Sequence, residues 1–384
     1  MTTDAFFGLL RVLADWTAPP LTVNILWRRS PITPPRQSSF LSGILRLTQC
    51  PGHFWSNTAW YRGANAFPMV TSKSNGWPDL SRLDLKPTTD AMHLWCQVVG
   101  KIRLMMTPWV NHSWHVPLYV SACGLSTGLI PAGSRSFEME FDLLKDVLTI
   151  HDTEGRGSTV ALEPQSVATF YANTMRALNY LGLEVQIDPM PCELQEALPF
   201  HNDEVVRAYD GDTARAYWRA LVQTQRVFQL FRTRFVGKCS PIHLFWGSFD
   251  LAVTRFSGRA APRHPGGVPH MPDAVAREAY NQEVSSTGFW PGRGTVRTPC
   301  FYNYAYPTPL GFGDTSVQPA EAYFDTMLGE FLLPYGAVRN SPDADSVLLS
   351  FLQSTYEAAA NLARWDRKFL EGPTGPIGHP PIGA

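Results

Sequence analysis

The segment RSFEMEFDLL, residues 135–144, constrains the fold most, because apolar and acidic side chains alternate strictly along it. Phe137, Met139 and Phe141 fall on one side, and three acids fall on the other, namely Glu138, Glu140 and Asp142. A period of two predicts a β-strand with one buried and one solvated face, which is typical of antiparallel sheets. Carboxylates two positions apart could also bind a metal, but an exposed sheet face explains these three as well.

Helical and strand patterns recur on both sides of this strand. The apolar spacing predicts helices over residues 88–101, 164–183, 212–238 and 343–366, and the start of a helix at residue 273. Strands are predicted over residues 101–106, 113–124, 184–187, 241–258 and 301–307, with a hairpin over 146–162 that is centred on Glu154-Gly155. Pro and Gly predict a loop over residues 259–272.

Two parts of the chain show the same order of sequence features. A helix ends in Val-Gly-Lys at residues 99–101 and again at 236–238, and a histidine, a tryptophan and a Leu-x-Val strand follow each time. We therefore predict an α+β fold with two related halves, residues 76–190 and 200–370, each a mostly antiparallel sheet covered by helices. Internal duplication explains the shared order, although unrelated halves are an open alternative. Residues 371–384, rich in Gly and Pro, are expected to be disordered.

Residues 1–68 have a different composition from the rest of the chain. They hold six arginines, four tryptophans and no lysine, and neither a helical nor a strand period persists. We expect a non-globular segment, or an upstream extension with translation starting at Met69. An organellar transit peptide is the alternative.

The remaining composition excludes several classes of protein. The formal net charge is −1 and no basic block occurs, so no nucleic acid partner is expected. No apolar run approaches the length of a membrane span. The six cysteines are scattered without a C-x-x-C pair, which favours free thiols and a cytoplasmic localisation.

Four stretches carry a resemblance to a known family. They are MHLWCQVVGK, NHSWHVPLYV, GKCSPIHLFWGSFDLAVTRFSGR and EAYNQEVSSTGFWPG. Together they resemble a bacterial family catalogued as domain of unknown function 5996, over roughly Gly76 to Asp366. The resemblance implies no reaction and agrees with a start at Met69. It implies histidine at the position of Gln282, so this departure argues against a further imidazole there.

The histidine pair in VNHSWHVPLYV is the first candidate for chemistry. His112 and His115 lie three positions apart, which places them on opposite faces of a strand and makes them a poor shared metal pair. His115, on the same face as Tyr119, is the better candidate for a general acid or base. A histidine that is hydrogen-bonded within the core is the alternative.

His243 is the counterpart of His112 in the second half. If the halves face each other, His112 and His243 with Glu278 could hold a divalent transition metal. Glu283 could instead complete the set, or act as the carboxylate partner of His115 and His243 in catalysis. A solvated helix face or an ion pair with Arg277 would equally explain both glutamates.

Two arginines and several aromatic residues complete the predicted site. Arg255 or Arg259 could bind a carboxylate or phosphate, or could belong to a structural network with Asp250. Trp114, Trp246 and Tyr119 would line an aromatic pocket. An aromatic core explains them equally well.

These observations predict a cytoplasmic enzyme that acts on a small organic molecule in an aromatic cleft between the halves. A non-catalytic small-molecule-binding protein and a structural or partner-binding module are the alternatives. No G-x-S-x-G, P-loop, G-x-G-x-x-G or H-E-x-x-H motif is present, which disfavours those enzyme classes. The substrate, the reaction and the oligomeric state do not follow from the sequence.

Overall fold

Amphipathic segments form long helices around two antiparallel sheets. The computed structural model describes residues 76–292 and 294–375. The helices are α1 (Leu85–Met106), α2 (Val167–Tyr180), α3 (Gly211–Arg232), α4 (Asp273–Ala279), α5 (Tyr335–Arg339), α6 (Ala344–Leu362) and α7 (Arg367–Leu370). One-turn 3-10 helices lie at Asn111–Ser113, Phe200–Asn202 and Phe312–Asp314. No helix among the described residues is long and apolar enough to cross a bilayer.

The first sheet is a meander of five strands in chain order. Its strands are β1 (Tyr119–Val120), β2 (Gly124–Ala132), β3 (Arg135–Asp142), β4 (Val147–Asp152) and β5 (Gly157–Ala161). The alternation prediction is confirmed, because Phe137, Met139 and Phe141 are buried in the core. The hairpin predicted around Glu154-Gly155 is also confirmed, as the connection between β4 and β5.

The second sheet has six strands in the order β12-β13-β11-β10-β9-β8, all antiparallel. The strands are β8 (His243–Phe245), β9 (Asp250–Ala260), β10 (Gln282–Trp290), β11 (Cys300–Tyr306), β12 (Tyr323–Asp325) and β13 (Glu330–Pro334). A separate two-stranded ladder pairs β6 (Gln165–Ser166) with β7 (Val206–Arg207). These antiparallel sheets and their covering helices confirm the α+β class.

Helix α1 connects the two sheets through contacts on several sides. Its Gly100 packs directly against the ring of Trp246, which belongs to the turn between β8 and β9. His93 hydrogen-bonds through Nε2 to the Gly247 carbonyl oxygen at 2.8 Å. The Gln97 amide both donates to and accepts from the backbone of Cys192, at 3.0 and 2.8 Å. Helix α1 is therefore buried by residues from both predicted halves.

The edges of the two sheets meet at one pair of leucines. The Leu118 N–H donates to the Leu244 carbonyl at 2.9 Å, and the Leu244 N–H donates to the Leu118 carbonyl at 2.7 Å. This reciprocal bridge lies beside the edge strands β1 and β8. Because both leucines are fully buried, the bridge stands inside the core.

Three local predictions differ from the structure. Residues 101–106, predicted as a strand, are the last turns of α1, because the helical apolar stripe continues past Gly100. Most of 113–124 is irregular, with β1 only two residues long. Residues 184–187 lie outside any strand.

The chain ends fall partly outside the described residues. Residues 1–68, predicted as an extension, lie outside them, as do residues 376–384 of the predicted tail. At the start of that tail, the Gly372 N–H donates to the Arg234 carbonyl at 3.1 Å, and Glu371 pairs with Arg367. Ordered structure therefore extends past the predicted start of the tail.

Candidate functional site

The second sheet has two chemically different faces. Leu251, Val253, Phe289, Phe301 and Phe331 project into the main hydrophobic core, toward α3 and α6. The alternate residues of the same strands project to the other side, which we call the outer face. Its polar and aromatic members include Asp250, Thr254, Ser286, Tyr302, Tyr304 and Glu330.

The segment between β9 and β10 lies over this outer face. Its His264 ring stacks on Tyr280 with ring centroids 4.8 Å apart and contacts the Tyr306 ring at 5.3 Å. The Glu193 N–H donates to the Pro269 carbonyl at 2.8 Å, which joins the linker between the predicted halves to the same segment. Of the side chains on the outer face, Asp250, Ser286 and Tyr302 are consequently buried, and Thr254, Tyr304 and Glu330 are half-buried.

Six side chains form what we call the carboxyl–tyrosine cluster. They are Glu193, Asp250, Tyr280, Tyr302, Tyr304 and Glu330. Asp250 accepts hydrogen bonds from the hydroxyls of Ser248 and Tyr302. The hydroxyls of Tyr280 and Tyr304 are 2.8 Å apart.

Glycine makes room for the cluster at two positions. A Cβ atom at Gly247 would come within 2.0 Å of the Glu193 Oε1 atom, and one at Gly288 would come within 2.4 Å of the Tyr302 hydroxyl. Any larger residue would displace these groups, so the cluster requires glycine at both positions.

Burial raises the pKa of all three carboxyl groups. The pKa of Glu193 rises to about 7, because burial and then the charge of Asp250 both disfavour its ionised form. The pKa of Glu330 rises to about 8 for the same two reasons, with a further contribution from Asp325. The pKa of Asp250 also rises through burial, although hydrogen bonds from Ser248 and Tyr302 oppose that rise.

This arrangement can hold and transfer protons near neutral pH. A glutamic acid with a pKa between about 7 and 8 can donate a proton at pH 7, and a neighbouring carboxylate can accept one. Carboxyl groups with raised pKa values in a partly buried site are typical of catalytic acids and bases. Among residues 76–292 and 294–375, no lysine or arginine forms an ion pair with Glu193, Asp250 or Glu330.

The predicted residues His112, Trp114 and Glu278 do come together, around a lysine that the sequence did not single out. The His112 N–H donates to both oxygens of the Glu278 carboxylate at 2.9 and 2.8 Å. The Nε2 atom of His112 is hydrogen-bonded to the Lys238 ammonium, which lies 5.5 Å from the Trp114 ring centroid. Burial lowers the pKa of His112.

The three predicted histidines have different partners. His115 accepts the Val110 N–H through Nδ1 at 3.2 Å and contacts the Trp109 ring. His243 is fully buried against Phe245, 6.5 Å from the Tyr119 ring, and burial lowers its pKa to about 3. In the part of the chain that the structure describes, no hydrogen bond or ring contact joins any two of the three imidazoles. The structure thus does not bring the predicted histidine centre together.

The proposed metal set is not assembled either. Within the described ranges, no group of three or more His, Cys, Asp or Glu residues is placed to hold a metal ion. Glu278 is occupied by the His112 backbone, and neither ring nitrogen of His243 has a hydrogen-bond partner among the described residues. The set of His112, His243 and Glu278 was expected to converge because the halves were expected to face each other through their histidines.

The predicted anion and pocket residues have structural partners. Arg255 is buried on the core face of β9, where it donates to the Phe231 carbonyl and stacks on the Phe231 and Tyr356 rings. Arg259 forms an exposed ion pair with Glu283 at 2.6 Å.

Two predicted pocket residues lie near the junction of the sheets. The Trp246 Nε1–H donates to the Val116 carbonyl at 2.9 Å. The Arg103 guanidinium lies over the Tyr119 ring at 5.2 Å. Neither residue belongs to the carboxyl–tyrosine cluster, so the predicted pocket and the observed cluster are made of different residues.

Comparison with known proteins identifies the family. The model of a family of unknown function, DUF5996, matches residues 77–372, which is more than half of the chain. The chain belongs to this family. The resemblance seen in the sequence is therefore confirmed for DUF5996, which supplies no reaction. Searches of curated proteins and of solved structures each gave no match.

Most of the carboxyl–tyrosine cluster was absent from the sequence-based prediction for this DUF5996 chain. Asp250 was predicted only as a member of a structural network, and residues 301–307 as a strand, while Glu193 and Glu330 were not singled out. Glu193 lies in an irregular linker and Glu330 at the first position of a short strand. The period-two spacing of Tyr302, Tyr304 and Tyr306 was the one available signal for a shared aromatic face.

Proposed function

We propose that this protein is an enzyme that performs general acid–base catalysis on a small organic molecule at the carboxyl–tyrosine cluster. The observation that carries the proposal is the convergence of Glu193, Asp250 and Glu330 from three distant parts of the chain. A purely structural polar network has little need for a buried aspartate whose charge raises the pKa of two nearby glutamates.

Each group of the cluster has a role that follows from its surroundings. Glu330 and Glu193 are the proton donors, because their raised pKa values leave a substantial fraction of each group protonated near pH 7. Asp250, held by Ser248 and Tyr302, is the group that accepts a proton or orients the substrate. The Tyr280–Tyr304 hydroxyl pair supplies further hydrogen bonds to a polar substrate group.

The expected ligand is a small molecule with a flat or apolar part and at least one polar group. The rings of Tyr302 and Tyr304 stack with centroids 6.0 Å apart, and such faces bind flat groups. A divalent transition metal and a cytoplasmic localisation stay predictions from the sequence, and no step above depends on a metal.

Activity screening with matched variants tests this proposal. The full-length protein is incubated with a small-metabolite extract at pH 7, and the depletion of each metabolite is followed by mass spectrometry. We expect at least one metabolite to be converted, and Glu330→Gln to slow that conversion about 100-fold or more, because the amide cannot donate the proton. Glu163→Gln is the control, since Glu163 is exposed and outside the cluster.

Two results would contradict the proposal. One is a metabolite that the protein retains without converting it, which would favour a non-catalytic binding protein. The other is conversion that is unchanged in Glu330→Gln, Glu193→Gln and Asp250→Asn while all three variants keep the wild-type melting temperature.

We also propose that the two halves arose by duplication. Helices α1 and α3 are both 22 residues long. The distance along the chain between their first residues equals the distance between their last residues, and Leu118 and Leu244 are separated by that same number of residues. In each half, a long helix is followed by an antiparallel sheet and then by a second helix, α2 or α6. Since reciprocal bonds between equivalent residues are the mark of a twofold axis, the leucine bridge supports this proposal.

A further inference from the structure

The surroundings of Lys238 differ from those of an ordinary surface lysine. Its ammonium lies 4.7 Å from the Phe256 ring centroid and 5.5 Å from that of Trp114. It also donates to the Gln282 Oε1 atom at 3.2 Å and contacts His112 Nε2. Lys238 remains partly exposed, so a small molecule can reach the amine.

The His112 ring is held with its Nε2 atom toward the Lys238 amine. Its Nδ1 lies 3.0 Å from the Ala279 carbonyl, which can only accept, so Nδ1 carries the proton and Nε2 is a free acceptor. The Glu278 carboxylate holds the His112 backbone, whose positive φ of 57° positions the ring. The imidazole is thereby held as a base in contact with the lysine.

We propose that Lys238 is a carbonyl-reactive amine that forms an imine with a small aldehyde or ketone, with His112 as its acid and base. The flanking rings of Trp114 and Phe256 favour a carbonyl compound with a flat or apolar substituent. This site shares no residue with the carboxyl–tyrosine cluster, and the proposal does not depend on the proposed function.

The reaction balances with the groups that are present. His112 Nε2 takes a proton from the ammonium, and the freed amine adds to the carbonyl carbon to give a carbinolamine. The imidazolium then protonates the departing hydroxyl, which leaves as water, and a protonated imine remains. The carbonyl oxygen leaves in the water molecule, and no oxidant or reductant is required.

The electrostatic environment assists the first proton transfer. Burial lowers the pKa of Lys238, although the charge of Glu278 opposes the change. Burial also lowers the pKa of His112, and the adjacent Lys238 charge lowers it further, so the imidazole is neutral at pH 7. By contrast, a hydrogen bond to Asp142 raises the pKa of Lys145.

Reductive trapping tests the proposal. The full chain is treated with benzaldehyde and sodium cyanoborohydride at pH 7, and the benzylated lysines are mapped by peptide mass spectrometry. The chain has only six lysines, so each can be followed separately. We expect Lys238 to be modified at least 10-fold faster than Lys86 or Lys145 in the same molecule.

Two histidine variants distinguish a loss of Lys238 reactivity from a loss of folding. His112→Gln should slow the modification of Lys238 about 10-fold, whereas the matched change His115→Gln should leave it unchanged, because His115 does not contact the lysine. The labelling rate of Lys238 should also rise with pH at a lower midpoint than that of Lys145, because the pKa of Lys238 is lowered by burial and that of Lys145 is raised by its hydrogen bond to Asp142. Modification of Lys238 no faster than Lys86 or Lys145 in the wild-type protein would overturn the proposal, whatever the stability of the variants.

Discussion

At the scale of single residues, this protein buries ionisable groups in three different ways. Arg255 keeps its charge and lies against aromatic rings with one carbonyl acceptor. His243 is expected to give up its charge, because burial lowers its pKa to about 3. Glu330 and Glu193 keep their protons, because burial raises their pKa. Of these four groups, only the two glutamic acids can still exchange a proton near pH 7.

The burial of His243 predicts how the stability of the fold changes at acid pH. The pKa of His243 in the folded protein, about 3, lies below the value of about 6.5 expected in the unfolded chain. As the pH falls, the imidazole is therefore protonated in the unfolded chain before it is protonated in the folded protein. Stability from this group is present above pH 6.5 and is lost as the pH falls toward 3. Replacing His243 by Phe should therefore reduce the loss of unfolding free energy between pH 7 and pH 5 by about 2 kcal/mol.

Urea unfolding at the two pH values measures this difference. His151→Gln is the control, since His151 is exposed on β4. An equal loss of stability in wild type and His243→Phe would show that His243 does not titrate as a buried neutral group.

At the scale of elements, close contacts rather than propensities position α1. A helix that contains Gly100 loses helix propensity, yet the glycine allows the Trp246 indole to pack directly on the backbone. The indole in turn donates to the Val116 carbonyl and so fixes the irregular segment before β1. Helix α1, the β8–β9 turn and this segment are therefore packed as one unit.

Gly100→Ala should destabilise the protein by about 1–3 kcal/mol, because the new Cβ would lie 2.2 Å from the Trp246 ring and must displace it. Gly336→Ala in α5 is the matched control, since its Cβ would meet only Asn340 at 3.8 Å and the helix gains propensity. Chemical denaturation of both variants tests this. A Gly100→Ala variant as stable as Gly336→Ala would exclude the tight packing of α1 on Trp246.

Periodicity predicted most elements, and its failures have local causes. Strand β3 and helix α2 followed from patterns that tertiary packing reinforces. Residues 101–106 were assigned to a strand because Gly100 was taken as the end of α1, whereas a glycine packed against Trp246 remains inside the helix. The segment around His112 and His115 was misjudged because positive φ values at His112 and Ser113 break any strand.

At the scale of the whole molecule, the candidate site depends on contacts that no sequence window contains. Glu193 comes from the linker between the predicted halves, Asp250 from the start of β9, and Glu330 from β13. Their burial and shared electrostatics arise only once the segment between β9 and β10 covers the outer face. The sequence predicted an aromatic site between two halves, but it could not identify which acids would meet there.

The pKa values of the cluster carboxyls test most directly whether the carboxyl–tyrosine cluster can donate protons at neutral pH. Carbon-13 NMR of glutamate-labelled full-length protein would follow each side-chain carboxyl carbon from pH 4 to pH 9, with Glu193→Gln and Glu330→Gln assigning the two signals. We predict that Glu193 titrates near pH 7 and Glu330 near pH 8. Titration of both groups near 4.5, the ordinary value for glutamate, would contradict the account, because neither could then donate a proton at neutral pH.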